Sequence, residues 1–470
     1  MGVGPYKVTF MRRFLLLPPV LFTGGCASAE EPKTALRPNI IYILADDLGY
    51  GDLSVQGQQH FETPNIDRLA SEGIRFTQHY SGSTVCAPSR DALLTGRHTG
   101  HTFIRGNKPV EPEGQYPIPA ETVTVAELLA DAGYRTGAAG KWGLGAPDTE
   151  GVPTRQGFDF FYGYNCQREA HSYYPDHLWR NEERVPLDGE TYAHDLITEE
   201  ALGFIRRNQD APFFLFVPYT IPHAGLDVPE DSMTPFVDSF DESPFAGRGR
   251  YVAQARPKAA YAGMVTRLDR DVGRIVALVA ELGLDENTVV MFSSDNGPHL
   301  EGGADPGFFD SNGPFRGYKR DLYEGGVRVP LLVRWSGTID AGRTSEHVSA
   351  FWDVLPTLAE LAGAPVRDRV DGISFVPELM GAPQDEHDHL YWEFHEQGGK
   401  QAVRMKDWKG VRVDLETDPE GPIELYDLDA DPGETTNVAA GHPELVAEIA
   451  AIMKSAHEPS EIFPFPGDQP

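Results

Sequence analysis

One short stretch of the chain, residues 85–97, combines a thiol with charged and hydroxyl side chains. It reads Cys-x-Pro-Ser-Arg followed by Leu-Thr-Gly-Arg, with Cys86 first and Arg90 four residues later. A helix that begins at Cys86 places Arg90 one turn along, close enough to brace a reactive group. A lone Cys is more often a small buried thiol than a nucleophile, but the complete pattern around Cys86 favours a reactive residue.

Two acidic segments follow apolar, β-branched runs that are typical of buried parallel strands. The segments are Asp46-Asp47 after residues 39–45, and Ser294-Asp295-Asn296-Gly297 after residues 288–293. The carboxyl ends of such strands meet at one edge of a doubly wound sheet, where ligands bind. Oxygen donors suit a hard cation, whereas a thiolate is a soft ligand. A geminal diol in place of the Cys86 sulfur removes that mismatch, since one hydroxyl attacks and the other expels the product.

Four separate segments resemble the formylglycine-dependent sulfatases. They are Ala45-Asp46-Asp47, the stretch 85–97, Ser294-Asp295-Asn296-Gly297, and Gly317-Tyr318-Lys319 followed by residues 323–330, Tyr-Glu-Gly-Gly-Val-Arg-Val-Pro. In that family the cysteine is oxidised after synthesis to formylglycine, whose hydrate is the nucleophile, and Cys86 is the matching position. The resemblance implies a sulfuric ester hydrolase with the alkaline-phosphatase-like α/β fold, a large mixed sheet flanked by helices.

The resemblance also implies roles for individual positions. A divalent cation, usually Ca²⁺ with Mg²⁺ as the alternative, is held by Asp46, Asp47, Asp295, Asn296 and an oxygen of the converted Cys86. Lys141 and Lys319 stabilise the bound sulfate, and Arg90 braces the nucleophile. His223, which follows a buried strand, contacts the sulfate and protonates the leaving alcohol. The conversion requires a formylglycine-generating or anaerobic sulfatase-maturing enzyme as a partner.

One position departs from the family pattern. The usual motif Gly-Lys-Trp-His-Leu-Gly reads Gly-Lys-Trp-Gly-Leu-Gly here, with Gly143 in place of the histidine. In the family that histidine is thought to deprotonate the sulfated formylglycine so that sulfate leaves. Three outcomes stay open: another group such as His171 or His299 substitutes, water substitutes, or turnover is impaired.

Strand and helix patterns alternate along most of the chain and predict an α/β fold with a mixed or parallel sheet. Residues 157–187 are aromatic and polar with little periodicity, and we interpret them as a loop that carries substrate contacts. From about Asp385, closely spaced short strand patterns precede a helical pattern that begins near Pro443. The predicted division is a signal peptide at 1–29, a catalytic α/β domain at 30–384, and a small antiparallel α+β subdomain at 385–470.

The composition is strongly acidic. There are 71 Asp and Glu residues against 40 Lys and Arg, which gives a formal net charge of −31. Such a surface argues against nucleic acid or an anionic membrane as a general partner, so the basic groups that bind an anionic substrate must be concentrated in the site. Pairing Cys86 with Cys166 would consume the nucleophile, and we expect Cys166 to be a free buried thiol.

The first 29 residues predict export to the periplasm or the extracellular space. Arg12 and Arg13 precede the apolar run 14–22, and Ala27-Ser28-Ala29 forms an Ala-x-Ala cleavage pattern. The run is too short for a permanent span, and the sequence offers no other transmembrane candidate. Gly24-Gly25-Cys26 resembles the end of a bacterial lipobox, although Thr23 stands where Leu is usual, so attachment to a membrane depends on the fate of Cys26.

The aromatic and basic residues between Phe158 and Arg180 suggest a pocket for a sugar ring. The predicted substrate contacts are His171, Tyr173 and Arg180, and the alternative is that the aromatic side chains pack the loop. Residues 157–165 resemble bacterial polysaccharide sulfatases and arylsulfatase A-like members. This favours a sulfated galactose or N-acetylgalactosamine unit of a polysaccharide as the substrate.

Two other functions are compatible with the sequence. A phosphodiester or phosphonate monoester hydrolase has this fold and uses formylglycine, and the turnover of sulfate against phosphate esters separates it from a sulfatase. A non-catalytic protein that binds sulfated glycans is the second, because Gly143 stands where the family has a histidine. Saturable binding without release of sulfate would identify it.

Overall fold

The computed structural model describes residues 1–5, 7, 9 and 37–468. The apolar run, the cleavage pattern and Cys26 of the predicted signal peptide lie outside the described residues. In the part of the chain that is described, no helix has the length and apolar character needed to cross a membrane.

Within residues 37–468, eleven strands form one mixed sheet. In chain order they are β1 (Asn39–Ala45), β2 (Ile74–Tyr80), β3 (Arg135–Lys141), β4 (Phe160–Tyr164), β5 (His177–Arg180), β6 (Glu183–Pro186), β7 (Phe213–Pro218), β8 (Thr288–Ser294), β9 (Arg328–Arg334), β10 (Arg343–Ser345) and β11 (Ser349–Ala350). Their order across the sheet is β10-β2-β9-β8-β1-β7-β3-β4-β5-β6, and β11 pairs with β2. The neighbours β8, β1, β7, β3 and β4 run parallel, so their carboxyl ends lie at one edge.

The central strands are buried on both faces, which explains their continuous apolar sequences. Every residue of β1 is buried. Ile41 and Ile43 pack into one hydrophobic core, and Ile40, Tyr42 and Leu44 pack into the other. The predicted α/β fold class is confirmed.

Helices cover both faces of the sheet. In chain order the helices of the described residues are α1 (Pro64–Ser71), α2 (Cys86–Thr95), α3 (Val125–Asp131), α4 (Ala193–Asn208), α5 (Glu230–Met233), α6 (Pro257–Glu281), α7 (Pro306–Phe309), α8 (Glu324–Val327), α9 (Val354–Ala362), α10 (Val376–Leu379) and α11 (Pro443–Ser455). α1, α4 and α6 contribute to the core that contains Ile41, and α2, α3 and α9 contribute to the core that contains Tyr42.

Residues 157–187 are not the loop that the sequence suggested. They supply β4, β5 and β6 to one edge of the main sheet. β4 is almost wholly buried and aromatic, and β5 and β6 are four residues each. Strands of four or five residues are too short to show the alternation by which a strand is recognised in sequence, and β4, almost wholly buried, has none.

A second, four-stranded antiparallel sheet lies in the C-terminal part. Its strands are β12 (Leu390–Phe394), β13 (Lys400–Met405), β14 (Trp408–Arg412) and β15 (Glu424–Asp427). α11 packs on it through Ile449 and Met453. Trp392 and Phe394 belong to a separate core with Tyr80 and Val85, the residues that lead into α2. The predicted C-terminal sheet is confirmed, and its boundary at residue 385 stays a prediction.

Candidate active site

The fold brings the predicted catalytic and cation-binding side chains to one edge of the main sheet. Each comes from the end of a strand or from the segment next to it. Asp46 and Asp47 follow β1, Asp295 and Asn296 follow β8, Lys141 ends β3, His223 follows β7, Cys86 begins α2 after β2, and Lys319 lies on the segment that leads to β9. All of them are buried.

Cys86 lies at the centre of the cluster, with 3% of its surface exposed. Its Sγ is 3.5 Å from Lys141 Nζ, 3.8 Å from Lys319 Nζ and 3.6 Å from an oxygen of Asp46. Burial raises the pKa of the Cys86 thiol to about 12 in spite of the two neighbouring ammonium groups. Because the thiolate is the reactive form, an unmodified Cys86 is a poor nucleophile at neutral pH.

Three buried ion pairs surround Cys86. Lys141 Nζ lies 2.6 Å from Asp46 Oδ2, Lys319 Nζ lies 2.7 Å from Asp47 Oδ2, and Arg90 Nη2 lies 2.8 Å from Asp295 Oδ2. The cluster around Cys86 therefore contains three carboxylates and three cationic groups, whose formal charges cancel. Arg90 also donates to the Lys141 carbonyl, so it ties the end of β3 to the residue that follows β8.

The two adjacent aspartates have different acidities. Burial raises the pKa of Asp46 to about 7, although Lys141 opposes the shift. Burial acts on Asp47 in the same direction, but the Lys319 ammonium and His299 outweigh it and hold the pKa of Asp47 at about 2. Asp47 also adopts a φ of 63°, a left-handed conformation that costs a non-glycine residue about 1–3 kcal/mol and is common at ligand sites.

The residues present fit a hard cation. Asn296 Nδ2 donates to Asp47 Oδ1 at 2.7 Å, while Asn296 Oδ1 is buried and has no hydrogen-bond partner among the described residues. An unpaired buried acceptor costs about 1–3 kcal/mol, and a cation that takes oxygen ligands removes that cost. A divalent cation also gives this formally neutral cluster the positive charge that an anionic substrate needs.

His223 is held as a neutral imidazole. Its Nδ1 donates to the Ala224 carbonyl, which leaves Nε2 to accept from Lys319 Nζ at 3.0 Å. Burial, and then the charge of Lys319, lower the pKa of His223 well below its usual range. His171 stacks on one side of the His223 ring at 4.4 Å between centroids, and His299 lies at 5.6 Å.

A cavity of about 190 Å³ opens over Cys86. It is lined by Cys86, Asn107, Pro109, Gln115, Gln167, Arg168, His171, His223, Tyr251, Lys319 and Arg320. A second cavity of about 650 Å³ shares His171 and Tyr251 with it and continues past Arg248, Arg250 and Leu300. A small group therefore fits against Cys86 while a larger body extends along residues 248–251.

Of the three predicted substrate contacts, only His171 lines these cavities. The Tyr173 hydroxyl donates to the carbonyls of Thr220 and His223, at 2.8 and 2.6 Å, and so supports the segment that carries His223. Arg180 pairs with Glu200 and lies over the Tyr162 ring. The positions of Tyr173 and Arg180 therefore give no support to a substrate contact.

Gln167 is a pocket residue that the sequence reasoning did not find. It follows β4, at the same sheet edge as the other site residues. A Cβ at Gly143 would lie 1.9 Å from Gln167 Nε2, so Gln167 borders the space that a side chain at position 143 would need. Residues 160–164 would have had to be recognised as a strand, because polar residues that follow parallel strands lie at the edge of the sheet that binds ligands.

Comparison with known proteins shows the family that this chain resembles along most of its length. Residues 38–364 match the family model described as Sulfatase, and residues 313–458 match the model described as N-sulphoglucosamine sulphohydrolase, C-terminal. N-acetylgalactosamine-6-sulfatase from Canis lupus familiaris is 36% identical over 399 residues, which cover 79% of this chain and 71% of the relative. Arylsulfatase A from Homo sapiens is 34% identical over 487 residues, which cover 91% and 88%.

Solved structures show the same similarity. Ps i-CgsB, which was also solved in complex with k-i-k-neocarrahexaose, has a TM-score of 0.77 and 30% identity, covering 89% of this chain and 92% of its own. The phosphonate monoester hydrolase of Agrobacterium radiobacter has a TM-score of 0.64 at 23% identity, covering 92% of this chain and 100% of its own, and shares the fold.

Proposed function

We propose that this chain, which belongs to the sulfatase family and is a sulfuric ester hydrolase, removes sulfate from a sulfated carbohydrate. The observation that carries the proposal is the small cavity in which Cys86 faces the ammonium groups of Lys141 and Lys319. The wider cavity beside it has room for sugar units. The name N-acetylgalactosamine-6-sulfatase supports a sulfated N-acetylgalactosamine unit, with a sulfated galactose unit as the alternative, and the complex of Ps i-CgsB with k-i-k-neocarrahexaose supports an oligosaccharide substrate.

The nucleophile in this proposal is formylglycine made from Cys86 by a maturation enzyme, either a formylglycine-generating or an anaerobic sulfatase-maturing enzyme. The formylglycine hydrate would supply a hydroxyl for attack on sulfur. The unmodified thiol of Cys86 is protonated, because burial raises its pKa, and it would not make that attack. Ca²⁺, or Mg²⁺ as the alternative, neutralises charge on the sulfate oxygens when bound. The residues that would hold it are Asp46, Asp47, Asp295 and Asn296, together with residue 86.

The remaining charged residues orient the sulfate group and supply the proton. Lys141 and Lys319 place fixed positive charge beside residue 86, where it is not weakened by water. Arg90 keeps Lys141 and Asp295 in place. In the resting site His223 Nε2 is unprotonated and accepts a hydrogen bond from Lys319 Nζ. The proton that His223 would pass to the leaving oxygen must therefore first move from Lys319 to Nε2.

We further propose that the chain is exported. The apolar run and cleavage pattern before residue 30 support a periplasmic or extracellular location. N-terminal sequencing and mass measurement of protein from its own host decide between a free form that begins at Glu30 and a lipid-anchored form that begins at a modified Cys26. An intact N-terminus on protein that stays inside the cell would contradict export.

The proposed function is tested by direct comparison of esters. Protein produced with a maturation enzyme is incubated with oligosaccharides that carry sulfate on galactose or N-acetylgalactosamine, and with the corresponding phosphate esters and a phosphonate monoester. We expect release of inorganic sulfate from at least one sugar sulfate at a higher kcat/KM than any release of phosphate. Faster phosphate or phosphonate turnover would favour the hydrolase alternative, and saturable binding without sulfate release would favour the glycan-binding alternative.

Replacement of His223 by Ala should have an effect that depends on the leaving group. General acid catalysis contributes about 10²- to 10⁴-fold, and a sugar alkoxide needs the proton far more than a nitrophenolate does. We therefore expect kcat to fall at least about 100-fold for a sugar sulfate and about tenfold or less for 4-nitrophenyl sulfate. The matched control is His194→Ala, which removes a buried histidine that pairs with Asp271 at 2.9 Å. Equal losses on both substrates would contradict an acid role for His223.

A further inference from the structure

Gln167 is a buried amide whose hydrogen-bonding groups are unused. Its residue is 5% exposed, and both Nε2 and Oε1 lack a hydrogen-bond partner among the described residues. The side chain lines the cavity that contains Cys86, Lys319 and His223. Buried polar atoms in native proteins are nearly always paired, and each unpaired one costs about 1–3 kcal/mol. An amide kept in this state beside a reactive residue indicates a ligand that pairs with it.

Gly143 makes the room that Gln167 needs. Gly143 has a φ of +83°, and an added Cβ would lie 1.9, 2.6 and 3.1 Å from Nε2, Cδ and Cγ of Gln167. The backbone N–H of Gly143 donates to the Asn165 carbonyl at 3.1 Å, and that of Trp142 donates to the Tyr164 carbonyl at 2.9 Å. These bonds fix the end of β3 against the end of β4, so that Lys141 and Gln167 extend from adjoining strand ends.

Neither His171 nor His299 occupies the space beside Gly143. His171 stacks against His223, and the pKa of His171 is lowered to about 3, first by burial. His299 Nε2 pairs with the Pro222 carbonyl at 3.1 Å, and its Nδ1 accepts from Glu301 N at 3.1 Å. The atoms nearest to a side chain at position 143 all belong to Gln167.

We propose that Gln167 is a catalytic residue that binds the transferred sulfate group, with Nε2 donating to a sulfate oxygen. Sulfate oxygens only accept hydrogen bonds, and an amide N–H₂ offers two donors. A neutral amide takes up no proton, so Gln167 acts by orientation and hydrogen bonding alone. The inference rests on the proposed function, since it assigns a residue to the sulfate pocket.

The first test measures sulfate binding directly. The dissociation constant of inorganic sulfate is determined by calorimetry on the matured enzyme, and the inhibition constant of sulfate is measured in parallel. Gln167→Met keeps the side-chain length and removes the donors, and we expect it to weaken sulfate binding about 10- to 100-fold. Gln167→Glu replaces the donors by a carboxylate that repels the anion, and we expect a larger loss. In both variants KM should rise together with the sulfate dissociation constant.

Gln156→Met is the matched control. Gln156 is equally buried, but its amide donates to the carbonyls of Glu150 and Pro119, at 2.9 and 3.4 Å, and it does not line the cavity over Cys86. We expect this variant to lower the melting temperature and leave the affinity for sulfate unchanged.

Gly143→Ala provides a second, independent test. The added methyl group displaces Gln167 without removing its amide, so the variant should reproduce the loss of sulfate affinity seen in Gln167→Met. In a Gln167→Ala background the same change should cost no further affinity, because the clashing atoms are gone. The strain of an alanine at a φ of +83° is present in both backgrounds, so the comparison isolates the clash with Gln167. Wild-type sulfate affinity in Gln167→Met would overturn the assignment and leave Gln167 as a space-filling residue. A wild-type enzyme that neither binds sulfate nor releases it would instead overturn the proposed function.

Discussion

Replacement of Cys86 by Ala should lower kcat for sulfate release from a sugar sulfate by roughly 10⁴-fold or more, as expected when an enzyme loses its nucleophile. Cys86 Sγ lies within 3.8 Å of both lysine ammonium groups and of an Asp46 oxygen, and alanine has no group that can attack sulfur from that position. The fold should survive the change, because it removes a single sulfur atom at the first residue of α2 and alanine is a good helix former.

Mass measurement identifies the reacting species in the same experiment. The tryptic peptide from Phe76 to Arg90 of active protein should contain an aldehyde in place of the Cys86 sulfur. Cys166→Ala is the matched control, since Cys166 is also a buried free thiol, and it should keep both wild-type activity and the converted peptide. A fully active enzyme with an intact thiol at Cys86 would contradict the assignment of formylglycine.

Replacement of Asp47 by Asn should give the second large effect. The change removes a carboxylate from the group that would hold the cation and leaves the buried Lys319 ammonium without its partner at 2.7 Å. Loss of residues that merely support metal ligands already costs about 10- to 100-fold in metal affinity, so we expect the dissociation constant for Ca²⁺ to rise by roughly 100-fold or more. Breaking a buried ion pair should lower stability by about 3 kcal/mol.

Calorimetry with Ca²⁺ and thermal unfolding check this prediction without reference to catalysis. The matched control is Asp52→Asn. Asp52 is buried, and burial raises its pKa to about 7, but its carboxylate accepts from Tyr261 and Gly49 rather than from the site. The control should bind Ca²⁺ as the wild type does. Wild-type Ca²⁺ affinity in Asp47→Asn would place the cation elsewhere.

The central strands and the acidic residues that follow them could be predicted because their physical cause is local. Burial on both faces forces an uninterrupted apolar run in β1 and β8, and the carboxyl ends of such strands carry ligand-binding residues. The motif around Cys86 similarly predicted a helix that begins at Cys86, and the structure has that helix.

Several residues of the pocket wall around Cys86 could not be predicted, because their position depends on tertiary contacts. An aromatic side chain can pack against a sugar or in a protein core. Tyr173 is buried, and its hydroxyl bonds to the segment that carries His223. Gln167 lies at the site because β4 pairs with β3. The sequence of residues 160–164 does not indicate this pairing. Likewise, the partnership of Gln167 with Gly143 joins two strand ends that are separated in sequence.

If Cys86 is converted to formylglycine as proposed, its burial limits the time at which the chain can mature. An enzyme that oxidises this thiol must reach it, yet in the folded chain only 3% of the residue is exposed. The strand β8, whose end closes one side of the site, finishes at Ser294, about 200 residues after Cys86. At a synthesis rate of about 5–20 residues per second, roughly 10–40 s separate the two events on the ribosome. Under the proposed maturation, oxidation and folding would therefore compete for the same nascent chain, and a delay in closing the sheet would favour oxidation.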